Sequence, residues 1–159
     1  MSEQEVLATV RPSMFRRLFG LLMLAGLGAM LVYLALTMPP VSLWWRALIL
    51  GLGVLALLLV EKMRRATSHA VQLTRAQLRS TDGQVLAEIA DVESVVRGSF
   101  SLKPSNGFTV ITKTSQPAGW APGLWWRVGK RVGIGGVTAA AQTKYMSEIL
   151  AALLAERQD

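Results

Sequence analysis

The chain has no cysteine and only one histidine. Without thiols it can form no disulfide, no thiolate nucleophile and no cysteine-ligated zinc site. Charge is also absent from one long stretch, the 28 residues from Leu18 to Trp45. Since roughly 20 apolar residues are enough for a helix to cross a hydrocarbon core, this stretch predicts a membrane-spanning segment.

A second apolar run, Ala47 to Val60, follows a Pro39-Pro40 break. It is long enough to cross a bilayer only if residues 43–46 belong to the same helix. The runs predict a fold class of α+β membrane protein in three parts, which are an N-terminal arm at residues 1–17, a transmembrane helical hairpin at residues 18–63 and a soluble domain at residues 67–159.

Basic residues lie at the two outer ends of this hairpin. Up to Ala66 the chain has seven bases against three acids, whereas the loop between the runs has only Arg46 near it. Because Lys and Arg are retained on the cytoplasmic side, we expect both termini in the cytoplasm. The residues expected at the membrane interfaces are Arg16, Arg17, Trp44, Trp45, Arg46, Lys62, Arg64 and Arg65.

Two targeting signals compete with a retained anchor. A cleaved signal peptide would have a shorter apolar run, and Ala35-Leu36-Thr37 is a poor cleavage site. Arg16-Arg17-Leu18-Phe19 matches part of a twin-arginine signal, but the residue before the pair is the apolar Phe15. We therefore favour an uncleaved anchor.

Small residues recur at helical spacing inside the runs, at Ala25 and Ala29 and at Ala47 and Gly51. Such pairs let helix backbones approach closely. They predict that the two helices pack on each other, or that they dock on another membrane protein.

After residue 66 the sequence changes to short alternating segments. Asp82-Gly83 and Asn106-Gly107 are hairpin-turn dipeptides, and residues 129–131 are a further turn candidate. We expect a Pro/Gly-rich connector at residues 116–123. Strands are expected at residues 71–73, 76–79, 85–89, 95–102, 108–112, 124–128 and 132–134.

The chain is expected to end in a helix with Thr138 as its N-cap. Its apolar residues recur every three or four positions and need a sheet to cover them. They are Met146, Ile149, Leu150, Leu153 and Leu154.

Several antiparallel strands followed by one helix resemble a pleckstrin-homology-like (PH-like) barrel. The chain resembles bacterial membrane proteins that carry such a domain beside a transmembrane hairpin, over about residues 67–157. The resemblance implies a location in the bacterial inner membrane. Lipid-binding eukaryotic members have clustered bases around their first hairpin, where this chain has only Arg75 and Arg79, with Asp82 at the tip. The residues that carry the resemblance are Leu73-Thr74, Leu78, Asp82-Gly83, Ile89-Ala90-Asp91-Val92, Pro122 to Arg127 and Gly133 to Thr138.

Catalytic patterns are weak in this sequence. The lone His69 has no serine or aspartate relay around it, and Glu88, Asp91 and Glu93 are expected to be solvated. Gly123 to Arg131 misses the Walker A spacing by one residue, and Thr138 replaces the last glycine of a GxGxxG pattern. An anion site at Lys130, Arg131 and the helix start at Thr138 remains an alternative.

Tryptophans and bases lie close together near the end of the expected sheet. We expect Trp125, Trp126, Arg127, Lys130 and Arg131 to contact a partner or anionic headgroups. Since most of the excess positive charge lies at the membrane end, nucleic acid is not an expected partner. The sequence predicts a non-enzymatic, membrane-tethered interaction module without a cofactor, an accessory or assembly subunit of an inner-membrane complex. The expected partners are the bilayer and another integral membrane protein, and the alternative is a PH-like sensor of anionic lipid.

Overall fold

A computed structural model of the chain describes residues 4–38, 42–97 and 104–158. It confirms the α+β class, with two long apolar helices, two antiparallel sheets and a C-terminal helix. Pro39, Pro40 and the predicted strand residues 98–102 lie outside the described residues. In chain order the elements are β1 (Val6–Val10), α1 (Met14–Thr37), α2 (Leu43–Ala66), β2 (Val71–Thr74), β3 (Gln77–Ser80), β4 (Val85–Glu88), a short 3₁₀ turn (Ile89–Asp91), β5 (Val92–Val96), β6 (Phe108–Ala121), β7 (Trp125–Ile134) and α3 (Ala140–Glu156).

The strands form two sheets around one core. Strand order is β1-β2-β3-β4 in the first sheet and β5-β6-β7 in the second. Helix α3 packs its predicted apolar stripe on the sheets, with Met146 and Leu150 fully buried. Its role as the cover of the core is therefore confirmed. Leu124, in the turn before β7, is also fully buried. The fully buried large side chains of the sheets are Val10, Val71, Leu73, Leu78, Leu86, Phe108, Val110, Val132 and Ile134.

The N-terminal arm is a strand of the first sheet, which the sequence analysis missed. β1 pairs antiparallel with β2, and Val10 faces Val71 across the pair. Both side chains are fully buried. The folded domain therefore includes residues on both sides of the helices, and the predicted domain start at residue 67 is wrong. Only three residues separate β1 from α1, and four separate α2 from β2.

The first two strands of the sheet are not joined by a short turn. The helices α1 and α2 fill the connection between β1 and β2. Arg75 lies in the turn between β2 and β3, and Asp82 lies in the turn between β3 and β4.

The region predicted as a connector belongs to β6. Residues Gly119 to Ala121 pair with Trp125 to Arg127, and only residues 122–124 form the turn. The predicted turn at residues 129–131 is wrong, because β7 continues through them and pairs with β6 on both sides of Gly129. The pairing register is irregular there, and Gly129 has a φ of +57°, a conformation that favours glycine. The Gly135 N–H bonds the Leu124 carbonyl at 2.9 Å, so the two ends of β7 lie close together.

Two smaller predictions need correction. Thr138 is not the N-cap of α3, because the helix begins at Ala140 and its N-cap is Ala139. The buried Thr138 hydroxyl instead donates to the Asn106 carbonyl at 3.3 Å. Asn106 has the positive φ expected of a turn residue, at 53°. Ser105 and Asn106 form a turn directly before β6, and the strand predicted to precede it lies mostly outside the described residues.

Helices α1 and α2 are each 24 residues long and apolar enough to cross a membrane. Helix α2 begins at Leu43, as a full span requires, and the Ser42 side chain caps it by accepting a hydrogen bond from the Trp45 N–H. Most of their large apolar side chains point outward and are exposed.

The two helices pack on each other through glycines. A Cβ added at Gly28 would lie 2.9 Å from Leu57, and one added at Gly53 would lie 2.9 Å from Val32. The predicted small pairs are not this contact, because Ala29, Ala47 and Gly51 are exposed. The spacing was right for close packing, but it could not show which side of each helix faces the other.

Replacing Gly53 by valine should push the helices apart, whereas the same change at Gly51 should not. The added side chain at Gly53 meets Val32, while a Cβ at Gly51 meets no described atom within 4 Å. We expect Gly53→Val to cost about 1–3 kcal/mol, the usual penalty of overpacking. Unfolding of the purified full chain by titration with sodium dodecyl sulfate measures this difference. Equal stability of the two variants would show that the helices do not pack at Gly53.

Candidate functional site

The two neighbouring tryptophans of β7 face opposite sides of the strand. Trp125 is only 3% exposed, and its ring edge packs on Gly119. Trp126 lies against Gly133, seven residues further along β7, and is half-buried. Trp125 is therefore a core residue, and its assignment as a contact residue is wrong.

Arg127 is structural as well. Its side chain is 6% exposed, and its Nε donates to the Pro117 carbonyl at 2.6 Å. Its Nη1 donates to the carbonyls of Val85 and Leu86 in β4, at 2.8 and 3.3 Å. The guanidinium thus joins β7 to the other sheet. The assignment of Arg127 as a contact residue is wrong, because its donors are used inside the domain.

Lys130 and Arg131 are exposed on β7, six and seven positions after Leu124. The Leu124 end adjoins the helices, because Gly123 lies against Met63 and Thr67. No described hydrogen bond joins these cations to Thr138, whose buried hydroxyl donates to the Asn106 carbonyl at 3.3 Å.

The predicted membrane-interface residues form two groups. Trp44 and Trp45 are 86% and 61% exposed at the start of α2, with Arg46 beside them. The other residues meet where α1 begins and α2 ends, in a segment that we call the neck, residues 11–17 and 62–70. They are Arg16, Arg17, Lys62, Arg64 and Arg65.

The neck is held together by its own side chains. Arg16 donates to the Thr138 carbonyl at 3.4 Å, and Arg17 donates to the Arg64 carbonyl at 3.3 Å. Arg64 and Arg65 both form ion pairs with Glu61, at 2.7 and 2.6 Å. These contacts tie both helices to each other and to the folded domain.

Trp120 joins this region, although the sequence analysis did not include it among the candidate contacts. Its ring is 51% exposed, and the Lys62 ammonium lies 4.7 Å from the ring centroid. Such a cation–π contact fixes the indole beside the end of α2. Sequence alone could not find it, since Lys62 and Trp120 belong to elements that meet only in the folded chain.

Two cavities flank His69 at the neck. One, of about 470 Å³, lies between the start of α1 and residues 67–70, and is lined by Arg11 and Arg17 among others. The second, of about 270 Å³, is lined by Lys62, Arg65, Asp82 and Trp120 among others. His69 lines both.

The acidic residues singled out in the sequence do not converge. Glu88 and Glu93 are exposed, while the Asp91 carboxylate accepts hydrogen bonds from the Thr114 hydroxyl at 2.6 Å and from Gln116 at 3.2 Å. The Thr114 hydrogen bond is the main reason that the pKa of Asp91 is lowered. Over residues 4–38, 42–97 and 104–158, no three His, Asp or Glu side chains are grouped as a metal site requires.

Comparison with known proteins gives no match: no protein family, no curated protein and no solved structure matches the chain.

Arg127 and Arg131 provide a matched pair for testing these assignments. We expect Arg127→Met to destabilise the domain by about 2–3 kcal/mol, because three backbone carbonyls lose a buried charged donor. Arg131→Met should leave stability nearly unchanged, since its side chain is exposed. Thermal unfolding of the full chain in detergent measures both. A destabilisation by Arg131→Met as large as that by Arg127→Met would contradict the assignment.

Proposed function

We propose that α1 and α2 cross the bacterial inner membrane as a hairpin, with the folded domain in the cytoplasm. Pairing of β1 with β2 supports this topology, because strands that precede and follow the hairpin can pair only on the same side. The cations of the neck then lie at the cytoplasmic interface. At the opposite end, Trp44 and Trp45 lie at the level of the outer headgroups.

We further propose that the chain is a non-enzymatic interaction module, an accessory or assembly subunit of an inner-membrane protein complex. A four-stranded sheet, a three-stranded sheet and a covering helix support a PH-like domain, which is the plan that the sequence resembles.

The fixed attachment of the domain supports a partner within the membrane. The chain enters and leaves the bilayer through connections of three and four residues. The Ser13 N–H also bonds the Val137 carbonyl at 2.7 Å, and Gly123 packs on Met63 and Thr67. A domain held in this way keeps one height and one orientation above the bilayer. This suits docking on another membrane protein, whose own position relative to the bilayer is fixed.

Trp120 is the observation that carries the proposal. Its indole is half exposed at the level of the end of α2, and Lys62 holds it in place. Half-buried tryptophans with fixed geometry are typical anchors of protein interfaces. A partner that covers Trp120 must reach the membrane surface, as an integral membrane protein does.

A photo-crosslinking residue at position 120 of the full chain tests this proposal in native membranes. We expect one crosslinked integral membrane protein, and at least about tenfold weaker co-purification of it with Trp120→Ala, as for an interface hot spot. Tyr145 provides the control, because it is 56% exposed on α3. Crosslinks to lipid alone, or the same products from position 145, would contradict the proposed docking contact.

A further inference from the structure

The larger cavity at the neck is lined by polar donors. Its volume is about 470 Å³, and Arg11, Arg17, Thr67, Ser68, His69 and Thr81 contribute to its walls. None of the described residues that line it is acidic. The nearby Glu61 is engaged by Arg64 and Arg65. The cavity therefore has an uncompensated positive charge from Arg11 and Arg17.

Arg17 has a donor to spare inside this cavity wall. Its Nη2 donates to the Arg64 carbonyl at 3.3 Å, which fixes the guanidinium. Its Nε is buried and has no hydrogen-bond acceptor among the residues that the structure describes. A guanidinium has five N–H donors, and the described residues accept only one of those of Arg17, so Arg17 keeps donors for an acceptor that enters the cavity.

Thr81 supplies a second available donor. Its hydroxyl oxygen accepts a hydrogen bond from the Ala70 N–H at 3.0 Å, which leaves the hydroxyl hydrogen free to donate outward. The hydroxyls of Thr67 and Ser68 differ, because both donate to backbone carbonyls of α2. The cavity thus combines two guanidinium groups with one free hydroxyl donor.

We propose that this cavity binds the phosphate group of an anionic phospholipid. Arg groups suit phosphate oxygens because their planar fork can donate two hydrogen bonds. The apolar surface next to the cavity supports a lipid over free phosphate: Met14 forms part of the wall, and Met14 and Phe15 are 78% and 79% exposed. This site is separate from Trp120, and it does not depend on the proposed protein partner.

The second cavity at the neck fits this ligand less well. Lys62 and Arg65 line it, but so does the carboxylate of Asp82, which would repel an anion. The ammonium of Lys62 is also engaged with the Trp120 ring.

The test uses the full chain in nanodiscs of phosphatidylcholine, with and without phosphatidylglycerol. A filled site stabilises the folded state, so we expect phosphatidylglycerol to raise the thermal unfolding midpoint by about 5 °C. Arg17→Gln and Arg11→Gln should each lose most of this rise. Arg64→Gln is the control, because it removes one positive charge at the same level from a residue that does not line the cavity.

Inorganic phosphate added to the phosphatidylcholine nanodiscs, against chloride at equal ionic strength, separates the two sources of the ligand group. If inorganic phosphate does not raise the thermal unfolding midpoint, the lipid is supported as the ligand. If phosphate raises the midpoint as much as the lipid does, and Arg17→Gln loses this rise, the site binds phosphate without the lipid, and that part of the proposal is overturned. The whole proposal fails if wild type shows no rise with phosphatidylglycerol, or if the Arg17 and Arg11 variants keep the rise of the Arg64 variant. Two separate substitutions keep the test valid if one of them impairs folding.

Discussion

The pairing of β1 with β2 is the interaction on which the rest of the structure depends. The two strands are far apart in sequence, and the whole helical hairpin lies between them. Their pairing brings the start of α1 and the end of α2 together, because each helix is joined to one of two neighbouring strands. The neck, its cations and its two cavities exist only because these chain segments meet there. The hairpin and the domain are therefore one structural unit rather than an anchor joined to a separate head.

Glycine packing between the helices is compatible with this constraint. Adjacent strands lie about 5 Å apart, whereas helix axes usually lie 8–10 Å apart. The chain must therefore diverge over the three or four residues of each connection. Close contact at Gly28 and Gly53 limits how far the helices separate. The domain is thus held by two connections and by the Gly123 turn, which packs on Met63.

The parts of the fold that depend on local pattern could be predicted from the sequence. The two apolar runs predicted α1 and α2, and the apolar stripe around Met146 and Leu150 predicted the helix that covers the core. The neck could not be predicted, because β1 is a five-residue strand whose partner follows two helices. Arg127 was misassigned for the same reason, since its acceptors Val85 and Leu86 lie in another sheet. A basic residue beside tryptophan gives no sign in sequence of whether it is buried.

Disulfide crosslinking across β1 and β2 tests the central claim most directly, and the absence of native cysteine makes it clean. Thr9 and Gln72 are paired neighbours, at a separation that a disulfide can bridge. In membrane vesicles, the full chain with Thr9→Cys and Gln72→Cys should oxidise rapidly within one molecule. The control, Thr9→Cys with Arg79→Cys, places the second thiol one strand further away and should stay reduced. Equal crosslinking of both pairs, or none in the first, would contradict a domain built from both sides of the hairpin.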